Sequence, residues 1–192
     1  MDLILITSIS YLMGSIPFGL ILSKIFLKKD IRNIGSGNIG ATNVLRSGNK
    51  TIGYLTLVLD ILKAIVPVLY IKYHFPELIY ISSLSVFLGH VFPIWLKFKG
   101  GKGVATYIGI LFSINYILGI TFTFTWLLIF FISRYSSLGS ILSTMVIPIF
   151  VFFNPNYENE YFYIILFVLI FFTHRENVKR LINKEESKTK IY

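Results

Sequence analysis

The chain has 192 residues, of which 55% are hydrophobic and only 14% are charged, and its mean hydropathy is +0.73. A soluble domain usually carries about 25% charged residues, so most of this surface cannot face water. The absence of cysteine excludes disulfides, thiolate nucleophiles and cysteine-ligated zinc. Three scattered histidines are a poor basis for a metal site, and we expect neither a metal nor a cofactor. The composition predicts one polytopic membrane domain over residues 1–192.

The first apolar segment covers residues 3–26 and is the first predicted membrane-spanning helix. It is too long for the apolar part of a signal peptide, and no positive charge precedes it. Lys24, Lys28 and Lys29 follow, and basic residues stay on the cytoplasmic side, so the N-terminus is predicted outside. The run GSIPFG at 14–19 is predicted to break this helix, either for close helix packing or for a bend that lines a cavity.

Five more apolar segments follow, at residues 51–71, 78–96, 103–133, 138–153 and 161–173. A helix needs about 20 residues to cross a bilayer, and the segment 103–133 is too long for one crossing and short for two. Two crossings with a turn near 113–116 place nearly all Lys and Arg residues in the cytoplasm, whereas one crossing leaves the basic C-terminus outside. The sequence predicts an all-α protein with about seven transmembrane helices and a cytoplasmic C-terminus.

The remaining charged residues do not by themselves indicate a binding site. Asp60 and Lys63 are three positions apart inside the second predicted span, and we interpret them as a buried structural pair. The net charge of +9 does not indicate nucleic-acid binding, because basic cytoplasmic loops are the rule in membrane proteins. Residues 183–192, rich in Lys, Glu and Ser, are predicted to form a mobile tail.

A glycine-rich loop after the first span is the first candidate site. Glycines let the backbone turn sharply and approach a ligand, and successive N–H groups can form an anion-binding nest. The spacing imitates a P-loop, but Ala41 stands where a P-loop has lysine, which excludes a nucleotide triphosphate site. A flexible linker is the alternative, although it explains neither Arg46 nor two asparagines. The candidate residues are Gly35, Ser36, Gly37, Asn38, Gly40, Thr42, Asn43 and Arg46.

A second loop, at 97–103, has three lysines and three glycines in seven residues. Lysine acts on phosphate as a mobile point charge. A positive-inside anchor is the alternative, and it explains the lysines but not the glycines. The candidate residues in and around this loop are His90, Gly100, Gly101, Lys102, Gly103 and Thr106.

Two further polar groups lie at predicted helix ends on the cytoplasmic side. The first, at 134–140, includes Ser137, and hydroxyls that open a helix are often only caps. The second contains His174 and Asn177, which share a face if the helix continues through them. A histidine at the membrane interface is more often structural than catalytic, so neither group is decisive by itself.

Together these segments resemble the bacterial acyl-phosphate:glycerol-3-phosphate acyltransferase family. The most specific match combines SGNxGATN at 36–43 with FKGGKGVAT at 98–106. GSIP at 14–17, residues 89–106, and Ser137 with HRxN at 174–177 follow the same family order, so the resemblance covers nearly the whole chain. Ile39 replaces the usual proline and Ala64 replaces the usual glycine. Neither change removes a polar group, and the expected effect is on loop rigidity.

The resemblance implies a multi-pass enzyme of the bacterial cytoplasmic membrane with its active site facing the cytoplasm. It would transfer a fatty acyl group from acyl phosphate to the primary hydroxyl of sn-glycerol 3-phosphate, releasing phosphate and 1-acyl-glycerol-3-phosphate (lysophosphatidate). This reaction is the first acylation of phospholipid synthesis. The residues agree on two points, because two cationic loops match two phosphate-bearing substrates and an interfacial site matches one greasy and one soluble substrate. Besides these substrates, the bilayer is the only partner that we predict.

The predicted mechanism is direct attack of the hydroxyl on the acyl carbonyl. The loop at 36–43 and Arg46 would hold the phosphate of the donor. Glycerol 3-phosphate would be held by Lys102, Ser137, His174 and Asn177. The predicted catalytic residues are Ser36, Arg46, Lys102 and His174, where either His174 or a substrate phosphate oxygen takes the proton. A transporter for a phosphorylated metabolite and a membrane phosphatase are the alternatives, the first weakened by the lack of an internal repeat.

Overall fold

The computed structural model describes residues 2–189, and their regular secondary structure is entirely helical. The α-helices are α1 Asp2–Gly14, α2 Phe18–Phe26, α3 Ala41–Arg46, α4 Lys50–His74, α5 Ile79–Val91, α6 Val104–Ile114, α7 Tyr116–Ser133, α8 Ser136–Phe152, α9 Glu160–Thr173 and α10 Arg175–Ile182. Short 3-10 turns lie at Ile31–Asn33, Pro76–Leu78 and Ile94–Leu96. The all-α prediction is confirmed.

Several of these helices are long and apolar enough to cross a bilayer. Within the described residues, four stretches meet that condition by length and composition: Asp2–Phe26, Lys50–His74, Pro76–Leu96 and Tyr116–Ser133. A fifth results if α9 and α10, which meet at a bend of 61°, form one broken span. Helices α6 and α8 are apolar but shorter. Seven crossings and the direction of the termini therefore stay predictions.

The long apolar segment at 103–133 is interrupted, as predicted, because α6 ends at Ile114 and α7 begins at Tyr116. The Asn115 side chain caps the new helix by accepting a hydrogen bond from the backbone N–H of Ile117 at 2.9 Å. The described chain also divides into two compact units at this point, with Ile114 in the first and Asn115 in the second. The single domain and the mobile tail stay predictions, and residues 190–192 of that tail lie outside the described residues.

In the first unit, α4 contacts α1, α2, α3, α5 and α6, and α1 packs along α5. Glycine permits that second contact. A Cβ on Gly14 would meet the Val86 carbonyl, and one on Gly89 would meet the Tyr11 carbonyl. Small residues let membrane helices approach closely, so the α1–α5 contact depends on both glycines.

The predicted break in the first span is confirmed, since α1 ends at Gly14 and α2 begins at Phe18. Pro17 has no backbone N–H and cannot continue the hydrogen-bond ladder of α1. At this break the Ile16 carbonyl accepts hydrogen bonds from the Phe18 N–H at 3.1 Å and from the Lys63 ammonium group at 2.8 Å.

In the second unit, α8 packs against both α7 and α9. The Trp126 indole donates a hydrogen bond to the Ser140 hydroxyl at 3.2 Å, and the space over Gly139 is filled by the same indole. Helix α9 ends at Thr173, where His174 links it to α10. The bend places the polar start of α10 at the end of an apolar helix.

Candidate active site

In the first unit, the loop at 31–43 is shaped by one buried amide, that of Asn43. Its Nδ2 atom donates to the carbonyls of Ile31, Ile34 and Asn38 at 3.1, 2.9 and 2.8 Å. Its Oδ1 atom accepts from the backbone N–H of Ser36 at 2.9 Å. The residue is only 2% exposed. Asn43 thus holds the loop together from the inside, and its predicted contact with substrate stays a prediction.

Three backbone N–H groups of this loop donate hydrogen bonds within the loop itself. The N–H of Ser36 is bound by Asn43, that of Gly37 by the Ile34 carbonyl at 3.0 Å, and that of Gly40 by the Asn38 side chain at 2.8 Å. These three N–H groups already have partners within the loop, and anion binding by the other N–H groups of the loop stays a prediction.

The glycines do supply the tight turn that their pattern predicted. Gly35 and Gly37 have φ values of +56° and +69°, which L side chains rarely adopt. A Cβ on Gly35 would also meet the Asn43 side chain and would lie 3.4 Å from Cδ of Arg46. The Arg46 side chain, at the exposed end of α3, therefore runs back along the loop. Thr42 lies in the first turn of the same helix.

Another arginine of this loop is committed to a carboxylate. Arg32 donates to Asp30 through Nε and Nη2, at 2.9 and 2.6 Å. These hydrogen bonds to the guanidinium lower the pKa of Asp30 from 3.8 to about 2. Because Asp30 is ionised at neutral pH, its negative charge neutralises that of Arg32.

The second loop is folded tightly onto the end of α5. The backbone N–H of Gly100 donates to the Val91 carbonyl at 3.0 Å, and that of Gly101 donates to the His90 carbonyl at 3.1 Å. A Cβ on Gly100 would meet the same two carbonyls, and one on Gly101 would meet the His90 imidazole. These glycines are therefore required for packing, which the sequence did not reveal, and their contact with substrate stays a prediction.

Lys102 lies just before α6, between Gly101 and Gly103. Gly103 has a φ of +87°, and a Cβ there would meet the Phe87 ring. The close packing of Gly101 on His90 and of Gly103 on Phe87 thus fixes the backbone on both sides of Lys102, directly before α6. Thr106, on the first turn of α6, is fully buried, and its hydroxyl has no hydrogen-bond partner within residues 2–189.

The predicted pair of Asp60 and Lys63 is confirmed, with a distance of 2.8 Å between Nζ and Oδ1. The third member of this buried group is His90, whose Nδ1 atom lies 3.9 Å from the same Asp60 oxygen. His90 is 3% exposed, and its ring faces the buried pair and Gly101. The substrate contact predicted for His90 stays a prediction.

In the second unit, two predicted residues meet on one carboxylate. Oε1 of Glu186 accepts hydrogen bonds from Ser137 Oγ at 2.8 Å and from Asn177 Nδ2 at 2.7 Å. Its other oxygen accepts from Arg180 Nε at 2.7 Å. Burial alone would raise the pKa of Glu186, but these three hydrogen bonds outweigh it and leave the pKa below its ordinary value of 4.5. The carboxylate is ionised at neutral pH and joins α8 to α10.

Glu186 was missed by sequence reasoning because it lies in the segment predicted to be a mobile tail. One signal was available. Two carboxylates, Glu185 and Glu186, follow Arg180 in a region rich in lysine and arginine. That signal names a partner for Arg180 but not for Ser137, since the contact with Ser137 spans 49 residues.

His174 lies at the bend and not on a continuous helix, so the condition for sharing a helical face with Asn177 is not met. Its Nδ1 atom is 2.8 Å from the Ile170 carbonyl. A carbonyl oxygen only accepts, so Nδ1 carries the hydrogen and Nε2 is the nitrogen that can take a proton in the neutral ring. His174 is 2% exposed, and its orientation suits a base.

The fold and these side chains define an integral membrane protein with cationic and hydroxyl-bearing groups at its helix ends. Within residues 2–189, no group of three or more His, Asp or Glu side chains is arranged to hold a metal ion. The class is therefore a helical membrane protein whose polar groups suit an anionic ligand.

Comparison with known proteins identifies the family. Residues 4–184 match the family model for glycerol-3-phosphate acyltransferase. A glycerol-3-phosphate acyltransferase from Pelagibacter ubique (strain HTCC1062) is 66% identical over the full length of both chains. One from Bartonella henselae is 47% identical over 96% of this chain and 90% of the relative. The chain belongs to the glycerol-3-phosphate acyltransferase family.

Solved structures show the same similarity in three dimensions. PlsY (YgiH), an integral membrane glycerol 3-phosphate acyltransferase, matches in its glycerol 3-phosphate form with a TM-score of 0.92 and 37% identity, covering 99% of this chain and 96% of that one. Its lysophosphatidic acid form matches with a TM-score of 0.89 and 36% identity, at the same coverage. The predicted family is thereby confirmed.

Proposed function

We propose that this protein transfers a fatty acyl group from acyl phosphate to the primary hydroxyl of sn-glycerol 3-phosphate. The products are 1-acyl-glycerol-3-phosphate and inorganic phosphate, which makes the reaction the first acylation of phospholipid synthesis. The observation that carries the proposal is the similarity, over 99% of the chain, to an acyltransferase solved in glycerol 3-phosphate and lysophosphatidic acid forms.

The chemistry needs little from the protein beyond positioning and charge. Acyl phosphate is a mixed anhydride and is already activated. The hydroxyl oxygen forms a bond to the acyl carbon, the bond from that carbon to the phosphate oxygen breaks, and phosphate leaves with its electron pair. No covalent intermediate on the enzyme is required, which is compatible with a chain that has no cysteine. Preorganised cations stabilise the leaving phosphate.

For the first unit, we propose that side chains of the loop bind the phosphate of the donor. The hydroxyls of Ser36 and Thr42 and the guanidinium of Arg46 are the donors that this role requires. Support comes from the inner hydrogen bonds of Asn43, which keep the loop in one shape, and from the position of the Arg46 side chain along Gly35. A fixed loop reduces the reorganisation needed when charge develops on the phosphate.

We propose that glycerol 3-phosphate is bound by Lys102 and by Ser137, His174 and Asn177. In the second unit, Glu186 holds Ser137 and Asn177 together, and the His174 ring presents Nε2 as its basic nitrogen. We propose that this nitrogen removes the proton of the attacking hydroxyl. A phosphate oxygen of the substrate is the other acceptor that the chemistry allows.

We further propose that the chain acts as a single membrane domain of seven crossings in the bacterial cytoplasmic membrane. The N-terminus would lie outside, and the C-terminus and active site would face the cytoplasm. Support comes from the distribution of Lys and Arg residues and from the apolar helices, including the short α6 and α8. Local thinning of the bilayer accommodates the short crossings.

The test uses purified protein in detergent, supplied with acyl phosphate in the presence or absence of glycerol 3-phosphate. We expect lysophosphatidate and phosphate in equal amounts only when both substrates are present. Phosphate release without glycerol 3-phosphate would indicate a phosphatase, and the absence of both products would favour the transporter. Acyl-CoA in place of acyl phosphate should support no acylation, and equal rates with acyl-CoA would refute the proposed donor.

A further inference from the structure

Asp60 and Lys63 form an ion pair in the middle of α4, where the side chains are only 3% and 2% exposed. Ionised groups are expensive inside a membrane protein. An apolar pair of similar volume often stabilises a fold as well as a buried ion pair does. A role for this pair therefore has to come from the contacts that each side chain makes with other parts of the first unit.

Lys63 is connected to the first glycine-rich loop. Its Nζ atom donates a hydrogen bond of 2.8 Å to the Ile16 carbonyl, at the break between α1 and α2, and lies 5.8 Å from the centre of the Phe18 ring. Helix α2 begins directly after this point. A Cβ on Gly19, in its first turn, would meet the Ile39 carbonyl, so α2 and the first loop are in backbone contact. Lys63 thus anchors the backbone directly before α2, the helix that contacts that loop.

Asp60 is connected to the second loop. Its Oδ1 atom lies 3.9 Å from Nδ1 of His90, close enough to orient the imidazole electrostatically. The His90 ring packs against Gly101 with no room for a Cβ, and the His90 carbonyl accepts from the Gly101 N–H. Lys102 follows Gly101 in the chain. Asp60 thus influences the position of Lys102 through His90.

We propose that Asp60 and Lys63 are positioning residues for acyl transfer, because one buried ion pair sets the geometry of both glycine-rich loops. This inference rests on the proposed function. Neither side chain has to contact a substrate. A displacement of about 1 Å at a reacting group can lower activity by roughly 100-fold, so small shifts of the two loops are sufficient for a large effect.

The deciding variant is Asp60→Leu combined with Lys63→Met, which replaces the pair by apolar side chains. We expect the folded amount and the thermal unfolding temperature in detergent to stay close to wild type. The KM for acyl phosphate or for glycerol 3-phosphate should rise, and kcat/KM should fall on the order of 10- to 100-fold. A purely structural role would lower the amount of active enzyme and leave both KM values unchanged.

The matched control removes another buried polar pair of the same unit. Ser10 and Ser82, both within helices, join α1 to α5 by a hydrogen bond of 2.8 Å. The double variant Ser10→Ala with Ser82→Ala should keep both wild-type KM values. If Asp60→Leu with Lys63→Met does the same, the inference is wrong.

Failure of the apolar variant to fold leaves the decision to Asp60→Glu, which keeps both charges and moves the carboxylate by one methylene relative to His90. Wild-type KM values for both substrates in folded Asp60→Glu would then overturn the inference, and a raised KM would support it. If wild-type protein forms no lysophosphatidate, the proposed function fails instead, and the two failures are distinguishable.

Discussion

The Ser137 hydroxyl donates a 2.8 Å hydrogen bond to Glu186, a residue 49 positions further along the chain. The same carboxylate oxygen accepts from Asn177 at 2.7 Å. Ser137 and Asn177, which we propose bind substrate, are thus held in place by the Glu186 carboxylate. The arrangement predicts a dependence of activity on the negative charge at position 186.

Glu186→Gln should lower activity. An amide has one acceptor oxygen in place of two, and its NH₂ group would face donors from Ser137, Asn177 or Arg180. Loss of a charge-assisted hydrogen bond costs roughly 1.5–3 kcal/mol. If that loss is felt in the transition state, kcat/KM for glycerol 3-phosphate falls on the order of 10- to 150-fold. The neighbouring exposed carboxylate offers the control, and Glu185→Gln should be nearly silent. Equal activity of the two variants would show that the charge at 186 is dispensable.

Stability should also depend on the ionisation of Glu186. Its pKa in the folded protein lies below 4.5, so its contribution to stability is fully present above that pH and is lost as the pH falls through the folded pKa. Thermal unfolding in detergent, measured from about pH 6 to about pH 3, should show a steeper fall for wild type than for Glu186→Gln. Parallel curves would mean that the carboxylate adds no acid-sensitive stability.

Arg46→Lys should lose most activity although the positive charge is retained. The planar guanidinium binds phosphate through two parallel hydrogen bonds, which an ammonium group reproduces poorly. We expect a loss of roughly 1.5–3 kcal/mol, or about 10- to 150-fold in rate. Lys50→Ala, which removes an exposed charge at the start of α4, is the control. Rates should be compared at equal amounts of membrane protein, and equal activity of both variants would make the first loop a linker.

Lys72→Met should reduce stability and spare the KM values. The Lys72 ammonium group donates to the carbonyls of Ser113 and Ile114 at 2.9 Å each, and these are the last carbonyls of α6. A cation at a helix C-terminus also interacts favourably with the helix dipole. Removing it should lower the free energy of unfolding by roughly 1.5–3 kcal/mol. The check is the unfolding temperature alongside both KM values, and a change in KM without a change in stability would contradict this assignment.

The direction of insertion can be read from single cysteines, since the chain has none of its own. Glu158→Cys should react with an impermeant thiol reagent added to intact cells, whereas Lys99→Cys and Lys188→Cys should react only after the cells are opened. All three positions are exposed, so accessibility does not bias the comparison. Labelling of position 188 together with protection of position 158 would reverse the predicted topology.

Some features of this protein follow from its sequence alone. The apolar segments predict helices, and the structure has helices in each. The break in the first span was predicted from the run at 14–19, and the turn near 113–116 from segment length and charge, and the structure has both breaks, at Pro17 and at Asn115. The pairing of Asp60 with Lys63 also follows from local geometry, because residues three apart on a helix are neighbours.

Other features were decided by tertiary structure. The close packing of the glycines at 100 and 101 against His90 and Val91 could not be predicted from the sequence. A glycine-rich pattern indicates that the backbone approaches another group closely, but it does not identify that group. Glu186 lies in a segment with no hydrophobic period, and its partners are distant in sequence. Packing alone brings such groups together, because their contacts depend on where whole helices lie and not on local backbone preference.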